Sequence, residues 1–172
     1  FLPASSAASP SSPPVIRRGH SGSGADLFDS APDIFISLRF EETMDEAQAL
    51  QAALKEHGVS SFICEVEAGA DIKTTVINRL DQCQMAVVMG SKTYGKGTVN
   101  FSSLEEMEYI VNEKKPLFLI KMCDRYEEAR TRFNFGASVS YVPWNVGDPM
   151  PADLADAVVK KLRGIQAPPL SP

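Results

Sequence analysis

Five short apolar segments, each followed by a segment with a different periodicity, constrain the fold of this chain more than any other feature. The predicted strands cover residues 34–37, 59–64, 85–89, 117–121 and 139–142. The third, MAVVM, is apolar at every position, which is typical of a parallel strand covered by helices on both faces. Strands and helices that alternate through right-handed crossovers form a doubly wound sheet. The sequence therefore predicts a flavodoxin-like α/β fold with three layers, in which helices flank a five-stranded parallel sheet.

Helical periodicity occupies most of the segments between these strands. An apolar residue every three or four positions marks a first helix, and Gly58 follows it as a natural C-terminal cap. Further helices are predicted to begin at Asp71, to cover 104–113 and to include 154–162. Residues 124–138 show no sustained period and are predicted to be irregular or briefly helical. The apolar positions of the first helix are Met44, Ala47, Leu50 and Leu54.

The two ends of the chain differ in composition from its middle. Residues 1–32 are rich in Ser, Pro, Ala and Gly, and they lack periodic hydrophobicity. Such a segment buries too little apolar surface to offset the entropy lost on ordering. We therefore predict a disordered tail over 1–32, one domain over 33–165 and a second disordered tail over 166–172.

Charge and composition exclude several classes of function. The formal net charge of −5 disfavours broad binding to nucleic acid or anionic lipid, which requires a basic face. No apolar run approaches the ~20 residues of a membrane helix, so no membrane insertion is expected. Three separated cysteines and two histidines give neither a metal-ligand pattern nor histidine-based catalysis. Thiols within apolar runs favour a reducing, cytoplasmic location.

Polar residues follow the first predicted strand directly. Ser37 and Arg39 end the segment DIFISLRF, and the acidic pair Glu41 and Glu42 comes next. In open parallel sheets, ligands bind at the carboxyl ends of the strands. We therefore expect a binding site at this edge of the sheet.

Several segments resemble, in their order and spacing, the motifs of Toll/interleukin-1 receptor (TIR) domains. The segment 33–39, followed by an acidic pair and a threonine, resembles the first box of plant members. The segment 61–69, SFICEVEAG, resembles the loop that follows the second strand, and SLEEM at 103–107 resembles the Cys-x-x-Glu-Leu stretch. Trp144 stands where the third box has an aromatic pair, and we interpret it as a packing residue.

The resemblance implies a specific set of site residues. Some TIR domains cleave NAD⁺ at the nicotinamide–ribose bond with a glutamate in the helix after the third strand, and this residue maps to Glu106, with Glu105 as the second choice. NAD⁺ is then a substrate, and neither a cofactor nor a metal is required. The residues that the resemblance places around the ligand are Ser37, Leu38, Arg39, Glu65, Phe101 and Glu105.

Local sequence also offers a structural interpretation of Glu106. Ser103 and Glu106 have the spacing of a capping box, in which a serine N-cap and a glutamate three residues later bind each other's backbone amides. A glutamate with that role would stabilise the start of the helix and need have no function in catalysis.

Three functions follow from the resemblance. The first is an NAD⁺ nucleosidase that releases nicotinamide and ADP-ribose or a cyclic variant, activated when the 65–70 loop of one copy completes the site of the next. The second is an adaptor in innate-immune signal transduction, which acts only through homotypic TIR–TIR contacts. The third is an enzyme like the nucleoside deoxyribosyltransferases, which also use a glutamate at the sugar.

Overall fold

The computed structural model describes residues 30–64, 71–99 and 102–167, and these ranges contain five strands and five helices. The strands are β1 (Ile34–Ser37), β2 (Ser61–Phe62), β3 (Met85–Gly90), β4 (Leu117–Lys121) and β5 (Tyr141–Pro143). The helices are α1 (Phe40–Glu56), α2 (Ile72–Gln82), α3 (Ser103–Asn112), α4 (Ala129–Asn134) and α5 (Leu154–Gln166).

All strands of the sheet are parallel, in the order β2-β1-β3-β4-β5. The order reverses between β1 and β3, so the connections leave these two central strands toward opposite edges. Ile34 pairs with Met85 and Ser37 with Val88, which brings the carboxyl ends of β1 and β3 together. The predicted flavodoxin-like fold with a five-stranded parallel sheet is confirmed.

Two hydrophobic layers cover the two faces of the sheet. Ile34 and Ile36 point toward the layer that contains α1 and α5. Phe35 points toward the opposite layer, which contains residues of α2 and α3. Because successive side chains of a strand alternate between faces, Ser37 lies on the same face as Phe35. Trp144 is buried in the layer of α1 and α5, as expected for a packing residue.

The outer elements differ in extent from the sequence predictions. The second strand was predicted over 59–64, but only Ser61–Phe62 pairs with β1, although Val59 and Ile63 are buried. The fifth strand lies at Tyr141–Pro143, about two residues later than predicted. Both are edge strands with one neighbour each, so their bounds depend on pairing rather than on hydrophobicity.

Other expectations concern the tails and the membrane. The predicted tail over 1–32 falls outside the described residues except for its last three positions, and most of 166–172 is also outside. Within the described ranges, no helix is both long and apolar enough to cross a bilayer. No cluster of three potential metal-ligating side chains occurs in these ranges either.

The last residue of β3 provides a test of this packing. A Cβ on Gly90 would lie 2.6 Å from the hydroxyl oxygen of Tyr126, which is itself buried. We expect Gly90→Ala to lower the free energy of unfolding by about 1–3 kcal/mol, the usual cost of overpacking. Urea denaturation measures this change.

Gly164 provides the matched control. It lies within α5, and apart from the adjacent backbone of that helix no atom comes within 4 Å of a Cβ added there. We expect Gly164→Ala to raise the free energy of unfolding by about 0.5–1 kcal/mol, because alanine has the higher helix propensity. Equal stability of the two variants would contradict the packing at Gly90.

Candidate functional site

Three separate elements meet at the hydroxyl of Ser37. This side chain is fully buried at the carboxyl end of β1. Its Oγ donates a hydrogen bond of 2.5 Å to Oε2 of Glu106 in α3. The same Oγ lies 2.6 Å from the hydroxyl of Tyr94, in the loop that follows β3. A continuous chain of polar atoms therefore joins β1, α3 and the β3–α3 loop.

The start of α3 determines which of two adjacent glutamates faces the sheet. Ser102 is the N-cap, and its Oγ accepts a hydrogen bond of 3.3 Å from the amide of Leu104. Glu105 completes the capping box, since its carboxylate accepts hydrogen bonds from the backbone amide and the hydroxyl of Ser102. Burial opposes ionisation of Glu105, but the hydrogen bonds from Ser102 and from the backbone, together with the charge of Lys73, outweigh this effect and lower its pKa.

The predicted capping box of Ser103 and Glu106 is therefore wrong by one residue. Ser103 is the first residue of α3, and its Oγ accepts a hydrogen bond of 3.0 Å from the amide of Gly95. Glu106 is only 6% exposed and has no capping role. Adjacent helix positions are rotated by 100° from each other. The side chain of Glu105 therefore points to the end of the helix, while that of Glu106 points toward the sheet.

Burial dominates the ionisation of Glu106. Desolvation raises the pKa of its carboxyl to about 8, the hydrogen bond from Ser37 opposes the increase, and the charge of Glu105 adds to it. No Lys or Arg within the described ranges forms an ion pair with this carboxyl. Close to neutral pH, the carboxyl can therefore be switched between its neutral and charged forms by a nearby charge.

A cavity of about 270 Å³ opens beside Glu106. Ligand sites usually occupy about 300–1,000 Å³, so this cavity has room for part of a dinucleotide rather than for all of it. Most of its wall is contributed by the segment after β1, by Cys64 and by the facing sides of α2 and α3. The lining residues are Leu38, Arg39, Phe40, Glu41, Cys64, Ile72, Val76, Thr98, Ser102, Ser103 and Glu106.

The wall contains both apolar and charged side chains. Leu38 after β1 and Ile72 and Val76 of α2 are among the apolar ones. Arg39 lies at the rim with a side chain that is 15% exposed, where its Nη2 is 3.5 Å from a carboxylate oxygen of Glu41. Its Nη1 is 3.4 Å from the carbonyl oxygen of Lys96. The cavity thus combines a carboxyl, an apolar wall and a guanidinium.

The structure brings together some of the residues predicted from the sequence. Leu38, Arg39 and Glu106 line the cavity, and Ser37 lies behind them against Glu106. Glu105 is used by the helix cap. The other two predicted contacts, Glu65 and Phe101, lie outside the described residues.

Two residues of the site were not assigned a role from the sequence. Tyr94 stands in a polar, glycine-containing loop, and the only signal of its burial is that it is the single aromatic residue between 90 and 99. Cys64 is 5% exposed at the cavity wall. Burial and the nearby Glu106 raise the pKa of its thiol to about 11, so it is a neutral wall group.

Comparison with solved structures supports the fold. The chain is similar to the TIR domain of the Toll-related receptor TRR-2 from Hydra magnipapillata, with a TM-score of 0.55 and 13% identity over 79% of this chain and 99% of that one. It is also similar to the TIR domains of the activated Roq1 resistosome that recognises the pathogen effector XopQ, with a TM-score of 0.49 and 22% identity over 78% and 81% of the two chains. The sequence matches no protein-family model and no curated protein. The chain has the fold of TIR domains.

The buried carboxyl makes a prediction for stability against pH. The folded protein keeps Glu106 protonated up to about pH 8, whereas the unfolded chain releases that proton near its ordinary pKa of 4.5. Between these values the unfolded state binds fewer protons, so this group lowers stability as pH rises, by up to about 1.4 kcal/mol per pH unit. Glu106→Gln removes the effect, so the variant is expected to gain stability relative to wild type between pH 5 and pH 8.

Urea denaturation at the two pH values measures this difference. Glu108→Gln is the matched control, because Glu108 lies on the same helix but pairs with Arg130 at the surface. A stability difference between Glu106→Gln and wild type that stays constant with pH would mean that the carboxyl is not protonated in the folded protein.

Proposed function

We propose that this chain is a TIR-domain NAD⁺ nucleosidase that breaks the bond between nicotinamide and ribose. The observation that carries the proposal is one buried carboxyl, Glu106, beside a cavity at the carboxyl ends of the central strands. Ligands of doubly wound sheets bind at this edge, next to the point where the strand order reverses. The TIR fold adds support, because part of this fold family performs the same cleavage.

The proposed reaction requires one carboxylate. The bond from ribose C1′ to the nicotinamide nitrogen breaks with both electrons moving to the nitrogen, so nicotinamide leaves neutral and without a proton. Positive charge then develops on C1′ and the ring oxygen, and the Glu106 carboxylate stabilises it. Water adds to C1′ and loses one proton, which gives ADP-ribose. Alternatively, a nucleophile within the ADP-ribosyl group attacks C1′, and loss of one proton from that group gives a cyclic product.

The wall of the cavity suits the reacting end of such a substrate. In the proposed complex, the pyridinium ring packs against Leu38, Ile72 and Val76, which line the cavity, and the ribose lies next to Glu106. A cationic ring at this position favours the charged form of the carboxyl, since opposite charges at short distance lower the pKa of an acid. Arg39 at the rim is the candidate contact for phosphate.

Self-association is part of the proposal. The cavity of about 270 Å³ holds the nicotinamide riboside end, which leaves the rest of the dinucleotide to be bound elsewhere. In the proposed assembly, the 65–70 loop of a second copy completes the site. Glu65 and Phe101 remain proposed ligand contacts, and the proposed setting is cytoplasmic immune signalling.

An adaptor without catalytic activity is the second candidate. One observation favours it: the carboxyl of Glu106 is buried, with a pKa raised to about 8, so an isolated domain holds it mostly neutral at pH 7. In that case the polar chain of Ser37, Tyr94 and Glu106 serves only to join the sheet to α3. The two functions differ in whether NAD⁺ is consumed once the protein assembles.

Release of nicotinamide from NAD⁺, measured at increasing protein concentration and with a crowding agent, tests the proposal. We expect release by wild type and a loss of about 10²-fold or more for Glu106→Gln, the usual effect of removing a group that stabilises developing charge. Glu108→Gln, outside the cavity, is expected to match wild type.

Other outcomes of this experiment select other functions. If light scattering shows assembly but no nicotinamide is released, the result supports the adaptor function. Free base released from deoxynucleosides, with NAD⁺ intact, would select the deoxyribosyltransferase-like reaction. A larger loss for Glu105→Gln than for Glu106→Gln would reverse the assignment of the carboxylate.

The pH profile gives a separate prediction. Because the carboxylate form is required, kcat/KM for NAD⁺ is expected to rise with pH and to level off above about pH 8, the value at which Glu106 ionises in the free protein. Initial rates between pH 6 and 9 measure it. A rate that falls over this range would show that the neutral carboxyl is the active form.

A further inference from the structure

Tyr94 is the member of the polar chain that lies two hydrogen bonds away from Glu106, the one member that lines the cavity. Its side chain is completely buried, and it is absent from the cavity wall. Its hydroxyl nevertheless lies 2.6 Å from Ser37 Oγ, the atom that binds Glu106. The hydrogen bonds therefore connect Tyr94 to Glu106 through Ser37.

Contacts with α4 and with the start of α3 fix the position of this tyrosine. Its carbonyl oxygen accepts a hydrogen bond of 2.6 Å from Thr131 Oγ1 in α4, and its ring lies 6.2 Å from that of Phe135. The next residue, Gly95, has a φ of +83° and donates its amide to Ser103 at the start of α3. A Cβ on Gly95 would lie 2.2 Å from Thr131 Oγ1, so this close approach requires glycine.

The protonation states of Glu106 and Tyr94 determine which group donates in each of the two hydrogen bonds of Ser37. When Glu106 is ionised, Ser37 uses its one O–H to bind the carboxylate. The bond between Ser37 and Tyr94 then needs the phenol as donor. Burial first, and then the charge of Glu106, raise the pKa of Tyr94 well above 10, so the phenol keeps its proton. The phenol therefore donates to Ser37 Oγ, and the hydroxyl of Ser37 donates to the carboxylate.

We propose that Tyr94 is a positioning residue, whose hydroxyl holds Ser37 in the orientation that supports the charged form of Glu106. The effect of Tyr94 on the ionisation of Glu106 does not depend on the proposed function. Its effect on turnover rests on the proposed function. Hydrogen bonds in a buried chain polarise one another, so loss of the first donor weakens the second bond.

Few other described groups near Glu106 could stabilise its charged form. The charge of Glu105 on the same helix disfavours a second negative charge, Glu41 is an acidic residue of the cavity wall, and the thiol of Cys64 is neutral. Arg39 lines the cavity but binds Glu41 and the Lys96 carbonyl. The cavity-facing residues of α2 carry no charge. The groups around Glu106 are Ser37, Arg39, Glu41, Cys64, Ile72, Val76, Tyr94 and Glu105.

The first measurement is the ionisation of Glu106 itself, followed by NMR of glutamate labelled with ¹³C at Cδ. Glu106→Gln identifies the resonance by its loss. Tyr94→Phe is expected to move the midpoint upward by about half to one pH unit, the size expected when one hydrogen bond in the chain is lost. Ser37→Ala, which removes the direct bond, is expected to move it further in the same direction.

Tyr126→Phe is the matched control. Tyr126 is also buried on this face of the sheet, but its hydroxyl has no hydrogen-bond partner among the described residues. The same loss of an oxygen from a buried ring is therefore expected to leave both the midpoint of Glu106 and the activity unchanged.

A second variant tests the role of the hydroxyl even if Tyr94→Phe does not fold. 3-Fluorotyrosine at position 94 keeps the ring and the hydroxyl, and the fluorine makes that hydroxyl a stronger donor. It is expected to move the midpoint of Glu106 downward. A downward shift supports the role of the hydroxyl independently of any packing defect.

Turnover provides the second readout. Below the midpoint, a shift of half to one pH unit lowers the ionised fraction about 3- to 10-fold, so Tyr94→Phe is expected to lower kcat/KM for NAD⁺ by that factor at pH 7. The rate is expected to recover at high pH, whereas a general packing defect would lower it at every pH.

The two proposals fail separately. An unchanged midpoint in folded Tyr94→Phe and in the fluorotyrosine variant would overturn the role of Tyr94, even if wild type cleaves NAD⁺. A shifted midpoint without NAD⁺ turnover in assembled wild type would keep the role of Tyr94 in holding the carboxyl and overturn the nucleosidase.

Discussion

The hydrogen bond between Ser37 and Glu106 is the interaction on which the candidate site depends. A carboxyl removed from water needs a donor, and here the donor comes from the end of the central strand β1. The bond joins the sheet to α3 at the edge where β1 and β3 end together. It also opposes the desolvation that raises the pKa of Glu106, so the same contact positions the carboxyl and moderates its ionisation.

The helix cap separates the roles of two adjacent glutamates. Ser102 binds Glu105 at the helix end, while Glu106 faces the buried hydroxyl of Ser37. A start one residue later would place Glu106 in the cap and leave the sheet without its carboxyl. The capping box therefore stabilises the helix and also determines which side chain reaches the cavity, because each helix position is rotated 100° from the last.

Much of the fold could be predicted because its central strands carry their own signal. β3 and β4 are buried and almost wholly apolar, so the expected bounds agree with the observed ones to within one residue. β2 and β5 were less well placed, since an edge strand is defined by a single neighbour. The short helix α4 had no clear period, and its position reflects contacts such as that of Thr131 with the loop after β3.

The sequence by itself determined that polar residues follow β1 and that two glutamates lie in the first turn of α3, and the parallel fold implied that these groups share one edge. Only the tertiary structure decided which glutamate turns inward, because the cap register depends on a choice between two adjacent serines, Ser102 and Ser103. It alone brought Tyr94 to Ser37, which is 57 residues away in the chain, and Glu106 to the same atom across 69 residues. Hydrogen bonds over such separations depend on how the helices pack on the sheet, and local sequence carries no signal for that packing.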